Sequence, residues 1–199
     1  MGRVVAIVGS YHRGGITDQA VDAVLAGAEQ GGAKTRKIYL VEQTIEFCRN
    51  CRMCTQFPGE ARGECVHQDD LELVLREVES ASALVLGSPV NYYNVTAIFR
   101  RFMERLIGYT YWPWGENLGP VMRVKGRTKK AVLVASSGMP GFLIPFFTGA
   151  ARALRLTAKM VGAKPVGRVW IGMVGRAPEE KLPDRARARA MRVGRKLAL

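Results

Sequence analysis

The sequence has little cysteine, little acid and no long apolar run. Its four cysteines stand at positions 48, 51, 54 and 65, so one loop carries all of them. Aspartate and glutamate number 17 against 30 lysines and arginines, which gives a net charge of +13 over 199 residues. No apolar stretch approaches the ~20 residues of a membrane-spanning helix, and no membrane partner is expected. The opening run, Met1 to Gly9, is too short for a signal peptide and has no small-residue cleavage site. A cytoplasmic location is therefore expected, where thiols stay reduced. A tight cysteine cluster then points to metal or redox chemistry rather than to disulfides. Internal repeats, low-complexity segments and dividing linkers are also missing, which predicts a single domain over 1–199.

The positive charge raises the question of nucleic acid, but no nucleic-acid-binding motif is present. Basic residues are dispersed apart from the stretches 123–130 and 185–196. A solvated basic surface that attracts phosphate-bearing cofactors is the expectation, with no nucleic-acid partner.

What is present is an alternation of buried runs and helical stripes. Val4 to Val8 is continuously apolar and ends at Gly9, as a strand covered on both faces does. Val21, Val24, Leu25 and Ala28 follow at helical spacing before Gly31-Gly32. Lys37 to Val41 reads as the second strand. Asp69 and Glu72 suggest a capping box for a helix carrying Leu71, Val74, Leu75 and Val78. Ala83 to Leu86, Ala131 to Ala135 and Val166 to Ile171 read as the remaining strands. Between them lie a helix from about Asn94, with Phe99, Phe102, Met103 and Leu106, and one carrying Phe147, Ala151, Leu154, Ala158 and Val161. A basic helix over about 179–199 closes the chain. This order predicts an α/β fold with a doubly wound five-stranded parallel sheet, and ligands on such sheets lie beyond the carboxyl ends of the strands.

Three loops lie at that edge. Gly9 to Thr17 links the first strand to a helix start, where free amides and the helix dipole favour an anion. Ser10 and Thr17 add hydroxyls, Arg13 adds charge, and Gly14 and Gly15 permit close approach. The loop has neither the Gly-Lys-Ser/Thr ending of a Walker loop nor Gly-x-Gly-x-x-Gly, and suits a single terminal phosphate. A simple capped helix is the plainer alternative. Gly87 to Thr96, with Pro89, Asn91, Tyr92 and Tyr93, offers amides and aromatics to edge a flat ring; a stiff turn with packed tyrosines is the other reading. Ala135 to Gly141 is small and polar.

These loops together resemble the NAD(P)H-dependent FMN reductases of the flavodoxin-like superfamily. The likeness rests on Gly-Ser-x-x-x-x-Gly-x-Thr after strand one and Gly-Ser-Pro-Val-x-x-x-x-Val-Thr after strand three. It extends through Gly63 to Asp70, Phe102 to Leu106 and the Tyr-Trp-Pro-Trp-Gly segment from Tyr111. The resemblance implies strand order 2-1-3-4-5 and non-covalent FMN. By position, Ser10, Arg13, Gly15, Ile16 and Thr17 would hold the phosphate. Pro89, Val90, Asn91 and Tyr92 would line the isoalloxazine, with Ser136, Ser137 and Gly138 at its other edge. His12, Gly14 and Ile16 depart from the Arg, Asn and Asn common in the family. Hydride from NAD(P)H would pass to the flavin and electrons onward to a small acceptor such as a quinone or free flavin, with no catalytic side chain required. The resemblance and the aromatics from Tyr109 to Gly115 imply a homodimer or homotetramer.

Cys48, Cys51 and Cys54 fall at two-residue gaps, and Cys65 follows later within the loop 48–65. This spacing suits a [4Fe–4S] cluster and is similar to the motif of iron–sulfur flavoproteins. The last gap is longer than in the compact motif, and no proline follows Cys65. A zinc site, usually two separated pairs, with His67 as a possible member, and a redox-active Cys51–Cys54 pair are the alternatives. Two further functions thus stand beside the reductase: an electron carrier taking electrons from a redox protein such as a ferredoxin, and a flavin- or nucleic-acid-binding module.

Overall fold

The computed structural model describes residues 2–126 and 128–198. Its centre is a parallel sheet of β1 (Arg3–Val8), β2 (Lys34–Tyr39), β3 (Ala83–Pro89), β6 (Lys129–Ser136) and β7 (Ala163–Ile171), in the order β2-β1-β3-β6-β7. This is the expected flavodoxin order. Helices α1 (Ile16–Gln30) and α6 (Asp184–Gly194) cover one face. The helices α2 (Leu71–Ser80), α3 (Ala97–Arg105) and α5 (Ala150–Met160) cover the other. A short antiparallel pair, β4 (Thr110–Tyr111) and β5 (Val121–Met122), was not foreseen.

Apolar residues on both faces explain the central strands. Val5 and Ile7 of β1 enter one core while Val4, Ala6 and Val8 enter the other. Phe99 and Phe102 of α3 are 0% and 1% exposed and meet edge to face at 6.0 Å. Burial of each contributes about 1.5–3 kcal/mol. On the opposite face Gly27 and Gly194 let α1 and α6 approach until backbone meets backbone; a Cβ on Gly27 would overlap Met191. No described helix is long and apolar enough to cross a membrane.

Several boundaries move. β2 begins at Lys34, because an edge strand tolerates the polar alternation of Lys34 to Lys37. β7 starts at Ala163, with an irregularity in its pairing where Ala131 meets Pro165 and Val132 meets Gly167. α3 starts at Ala97 with Thr96 as its cap, since Asn91 to Asn94 is occupied by a turn. The Asp69–Glu72 capping box does not form: Asp69 and Asp70 accept from the amides of Glu46 and Thr44, and Glu72 pairs with Arg62. Phe147 is exposed on a separate short helix, α4 (Ile144–Phe147), cut from α5 by Thr148 and Gly149. The terminal helix begins at Asp184, after Pro183, rather than near 179.

Candidate functional site

At the carboxyl edge of the sheet the three expected loops are joined by hydroxyls. Thr17 Oγ1 and Ser136 Oγ are 2.7 Å apart, and both residues are buried. Thr96 Oγ1 donates to the Gly9 carbonyl at 2.5 Å and accepts from the Phe99 amide, so one side chain caps α3 and ties its loop to β1. A Cβ on Gly9 would meet Phe99 at 2.7 Å, which explains glycine at that strand end.

The phosphate-loop residues are brought together with different partners. α1 opens at Ile16 after Gly15, and no side chain caps it; the first amides of a helix have no acceptors within the helix itself. Ser10 Oγ folds back on the backbone of His12 at 3.1 Å. The guanidinium of Arg13 pairs with Glu42 and stacks 4.4 Å from the Tyr39 ring centroid, which engages the charge expected for the phosphate. Asp18, which the sequence did not single out, is 2% exposed and accepts from Gly14 N, Lys37 Nζ and Tyr39 Oη at 2.8, 2.9 and 3.0 Å. Burial pushes the Lys37 ammonium down, but its contacts with Asp22, Tyr39 and Asp18 outweigh that and leave its pKa raised.

The second loop makes a tight reversal. Asn91 and Asn94 exchange backbone hydrogen bonds at 2.8 and 3.0 Å, and the two central residues, Tyr92 and Tyr93, have φ of 45° and 62°. Positive φ at both central positions defines a type I′ turn, normally filled by Asn or Gly. Two tyrosines there cost backbone strain, and strain of this kind clusters at functional sites. Tyr92 is 98% exposed, and Tyr93 is exposed as well. Val90 N reaches the Ser136 carbonyl at 2.8 Å, which sets Pro89, Val90 and Asn91 beside the third loop. There Ser137 is buried and its Oγ accepts from the Met139 amide at 3.1 Å, with Gly138 between.

All four cysteines, together with Arg52, His67 and Arg105, line one small cavity. Asn50 and Arg52, with φ of 53° and 60°, bend the loop so that the sulfurs share this space. Burial, then the neighbouring Cys65, Cys48 and Cys51, push the Cys54 thiol above its usual pKa. The amide of Asn50 points at Cys48 Sγ at 3.4 Å, and Arg105 Nη2 at Cys65 Sγ at 3.3 Å. Among the described residues, no group of three or more His, Cys, Asp or Glu side chains is arranged to hold a single metal ion. A cluster spreads thiolates over separate irons, and four cysteines around one cavity fit that donor set, with His67 beside them. The buried Nε2 of His67 and Nε atoms of Arg52 and Arg105 have no hydrogen-bond partner among the described residues.

Arginines hold this loop, and the sequence did not announce them. The Arg52 guanidinium lies 3.7 Å from the Trp112 ring centroid and 4.3 Å from that of Trp114, and donates to the Trp112 carbonyl at 2.7 Å. Arg123, 5% exposed, donates to the carbonyls of Cys54, Phe57, Gly59 and Thr110. Arg123 comes from the stretch 123–130 that read as solvated charge, and Arg52 stands among the cysteines themselves. Gly63 passes so close to the Cys54 carbonyl that a Cβ there would overlap it. A cleft of about 470 Å³, bordered by Met53, Phe57 and Val66, opens beside Cys54 and Cys65.

A family model described as NADPH-dependent FMN reductase matches residues 2–173. An iron-sulfur flavoprotein of Archaeoglobus fulgidus is 35% identical over 111 residues, 56% of this chain and 48% of that protein. One from Methanocaldococcus jannaschii is 30% identical over 103 residues, 52% of this chain and 51% of that protein. The match thus spans about half the length of these curated relatives. Among solved structures, an NAD(P)H:quinone oxidoreductase from Methanothermobacter marburgensis superposes with a TM-score of 0.67 at 19% identity, over 99% of this chain and 97% of that one. An archaeal flavodoxin gives 0.57 at 16% identity, covering 100% and 96%. At such identities these two likenesses establish the fold.

Proposed function

Because the chain belongs to the NADPH-dependent FMN reductase family, we propose that it is an FMN-dependent oxidoreductase that takes hydride from NAD(P)H and reduces a small acceptor such as a quinone or free flavin. The observation that carries this reading is the convergence of three loops at one sheet edge, tied by the Thr17–Ser136 contact. When bound, the flavin would supply the hydride and electron chemistry.

The chain's own residues would bind and orient. The amides at the start of α1, with Ser10, Gly15, Ile16 and Thr17, would meet the phosphate, where the helix dipole favours negative charge. Arg13 would join only by leaving Glu42. Pro89, Val90, Asn91 and Tyr92 on one side and Ser136, Ser137 and Gly138 on the other would border the ring; with the Val90, Asn91 and Ser137 amides engaged by backbone carbonyls, the amides of Tyr92 and Gly138 would be the ones to stabilise charge on its pyrimidine end. The exposed Phe142, Phe146 and Phe147 stand in the segment after this third loop, where a second copy of the chain would cover them in a homodimer or homotetramer.

A second reading is favoured by the cysteines: an iron–sulfur flavoprotein that exchanges electrons with a redox protein. Cys48, Cys51, Cys54 and Cys65 would ligate a [4Fe–4S] cluster, whose chemistry is one-electron exchange. An absorption spectrum of anaerobically purified protein, with iron and sulfide analysis, separates the two. NAD(P)H oxidation by FMN-loaded protein without iron supports the reductase. Stoichiometric iron and sulfide without nicotinamide turnover supports the carrier. Absence of bound FMN after reconstitution defeats both.

A further inference from the structure

We infer that Arg105 is a positioning residue for the cysteine site: it holds the sulfur of Cys65 in the ligand set and stabilises the negative charge that arrives there on reduction. This rests on the reading of the four cysteines as cluster ligands. Cys65 is the sulfur most in need of such help. The other three are fixed within seven residues by a loop with two left-handed turns, whereas Cys65 returns from a separate excursion.

The geometry around Arg105 is specific. Its side chain is 1% exposed and that of Asp69 is 5% exposed. One end of the guanidinium, Nη1, donates to Asp69 Oδ2 and to the Glu46 carbonyl, each at 2.7 Å. The other end, Nη2, donates to Cys65 Sγ at 3.3 Å. Asp69 accepts in turn from the amides of Glu46 and Leu71, which anchors it to both the start of the cysteine loop and the start of α2. A rigid planar fork can hold carboxylate, carbonyl and sulfur at once; a lysine ammonium on a flexible stem cannot. The guanidinium thus pins the returning segment, Cys65 to Asp69, against the segment that enters the loop at Glu46.

The same contact sets the energy of electron uptake. When bound, the cluster would supply one-electron chemistry, with the reduced flavin as donor and no bond formed or broken. The added charge is shared by the ligating sulfurs. A charged N–H donor at one sulfur, in a buried setting, stabilises the reduced form more than the oxidised one.

The test uses Arg105→Lys and the paired variant Arg105→Gln/Asp69→Asn, which removes the buried charge together with its counter-charge. Each is reconstituted anaerobically with FMN, iron and sulfide. Both variants are expected to keep FMN and either to show a more negative cluster midpoint potential or to lose iron selectively. A full iron complement with unchanged potential in both would overturn the inference. A wild-type measurement stands apart from any folding defect. With arginine labelled by ¹⁵N in the guanidine only, pulsed EPR of the reduced cluster should show a ¹⁵N coupling that Arg52→Ala does not remove, and its absence would overturn the inference. Wild-type protein that takes up FMN but no iron or sulfide sinks the cluster reading itself.

Discussion

The guanidinium of Arg52 and the indole of Trp112 stack at 3.7 Å, and this contact joins the cysteine loop to the aromatic segment of the same chain. The stack, with Trp114 and the two carbonyls of Trp112 and Pro113, fixes a left-handed residue between Cys51 and Cys54. Arg52→Ala should lower the unfolding free energy by about 2 kcal/mol, combining cation–π and hydrogen-bond losses. Arg52→Lys should not restore it, because an ammonium has no plane to stack. Thermal unfolding followed by tryptophan emission reads both.

Removal of the hydroxyls at the start of α1 tests the flavin site. Ser10→Ala/Thr17→Ala should weaken FMN retention by about a hundredfold or more, since two hydrogen bonds to a charged group are worth ~1.5–3 kcal/mol each. Unchanged FMN affinity in equilibrium titrations would defeat the phosphate-loop assignment.

Tyr92 and Tyr93 give a test in the opposite direction. Tyr92→Gly or Tyr93→Gly should raise stability by up to about 1 kcal/mol, because left-handed backbone costs ~1–2 kcal/mol for a side-chain-bearing residue. Turnover with NAD(P)H should fall in the same variants. A drop in stability would mean that the exposed rings pack against something in solution, such as a second copy.

Gly63→Ala should separate the two halves of the site. Its Cβ would overlap the Cys54 carbonyl, and overpacking of this kind costs about 1–3 kcal/mol. Iron retention should be lost while FMN retention stays near wild type, as measured by parallel flavin and iron analysis.

Acid should act through Asp69. Burial alone would raise its pKa; the Arg105 contact and the Glu46 and Leu71 amides outweigh that and hold it below the usual carboxylate range. A depressed folded pKa means that the stabilisation is fully present above the unfolded value of about 3.9 and is lost as pH falls through the lower folded value. Asp69→Asn should therefore be less stable at neutral pH and show a shallower acid limb in unfolding midpoint against pH.

The sheet was legible because its strands are buried on both faces and read as unbroken apolar runs, Val4 to Val8 and Ala131 to Ala135 above all. The loops at its edge were legible because glycine and serine punctuate strand ends. Tyr92 and Tyr93 were not, since nothing in two adjacent tyrosines signals positive φ. The cysteines announced a site, but its supports did not: Arg52, Arg105 and Arg123 are indistinguishable from surface charge until the fold buries them. Phe147 misled in the other direction, because it keeps helical spacing with Ala151 and Leu154 across a break at Thr148 and Gly149.

Arg123 meets four carbonyls, and among the described residues neither it nor Arg52 has an ion-pair partner. Carbonyl oxygens satisfy hydrogen bonds but leave the positive charge unanswered. The floor of the cysteine loop is thus electrically incomplete by itself, and four thiolates would complete it. Burial and the neighbouring sulfurs still hold the Cys54 proton in the empty loop, so whatever enters the cavity must draw that proton off, and the unpaired guanidinium groups then meet the charge that is left.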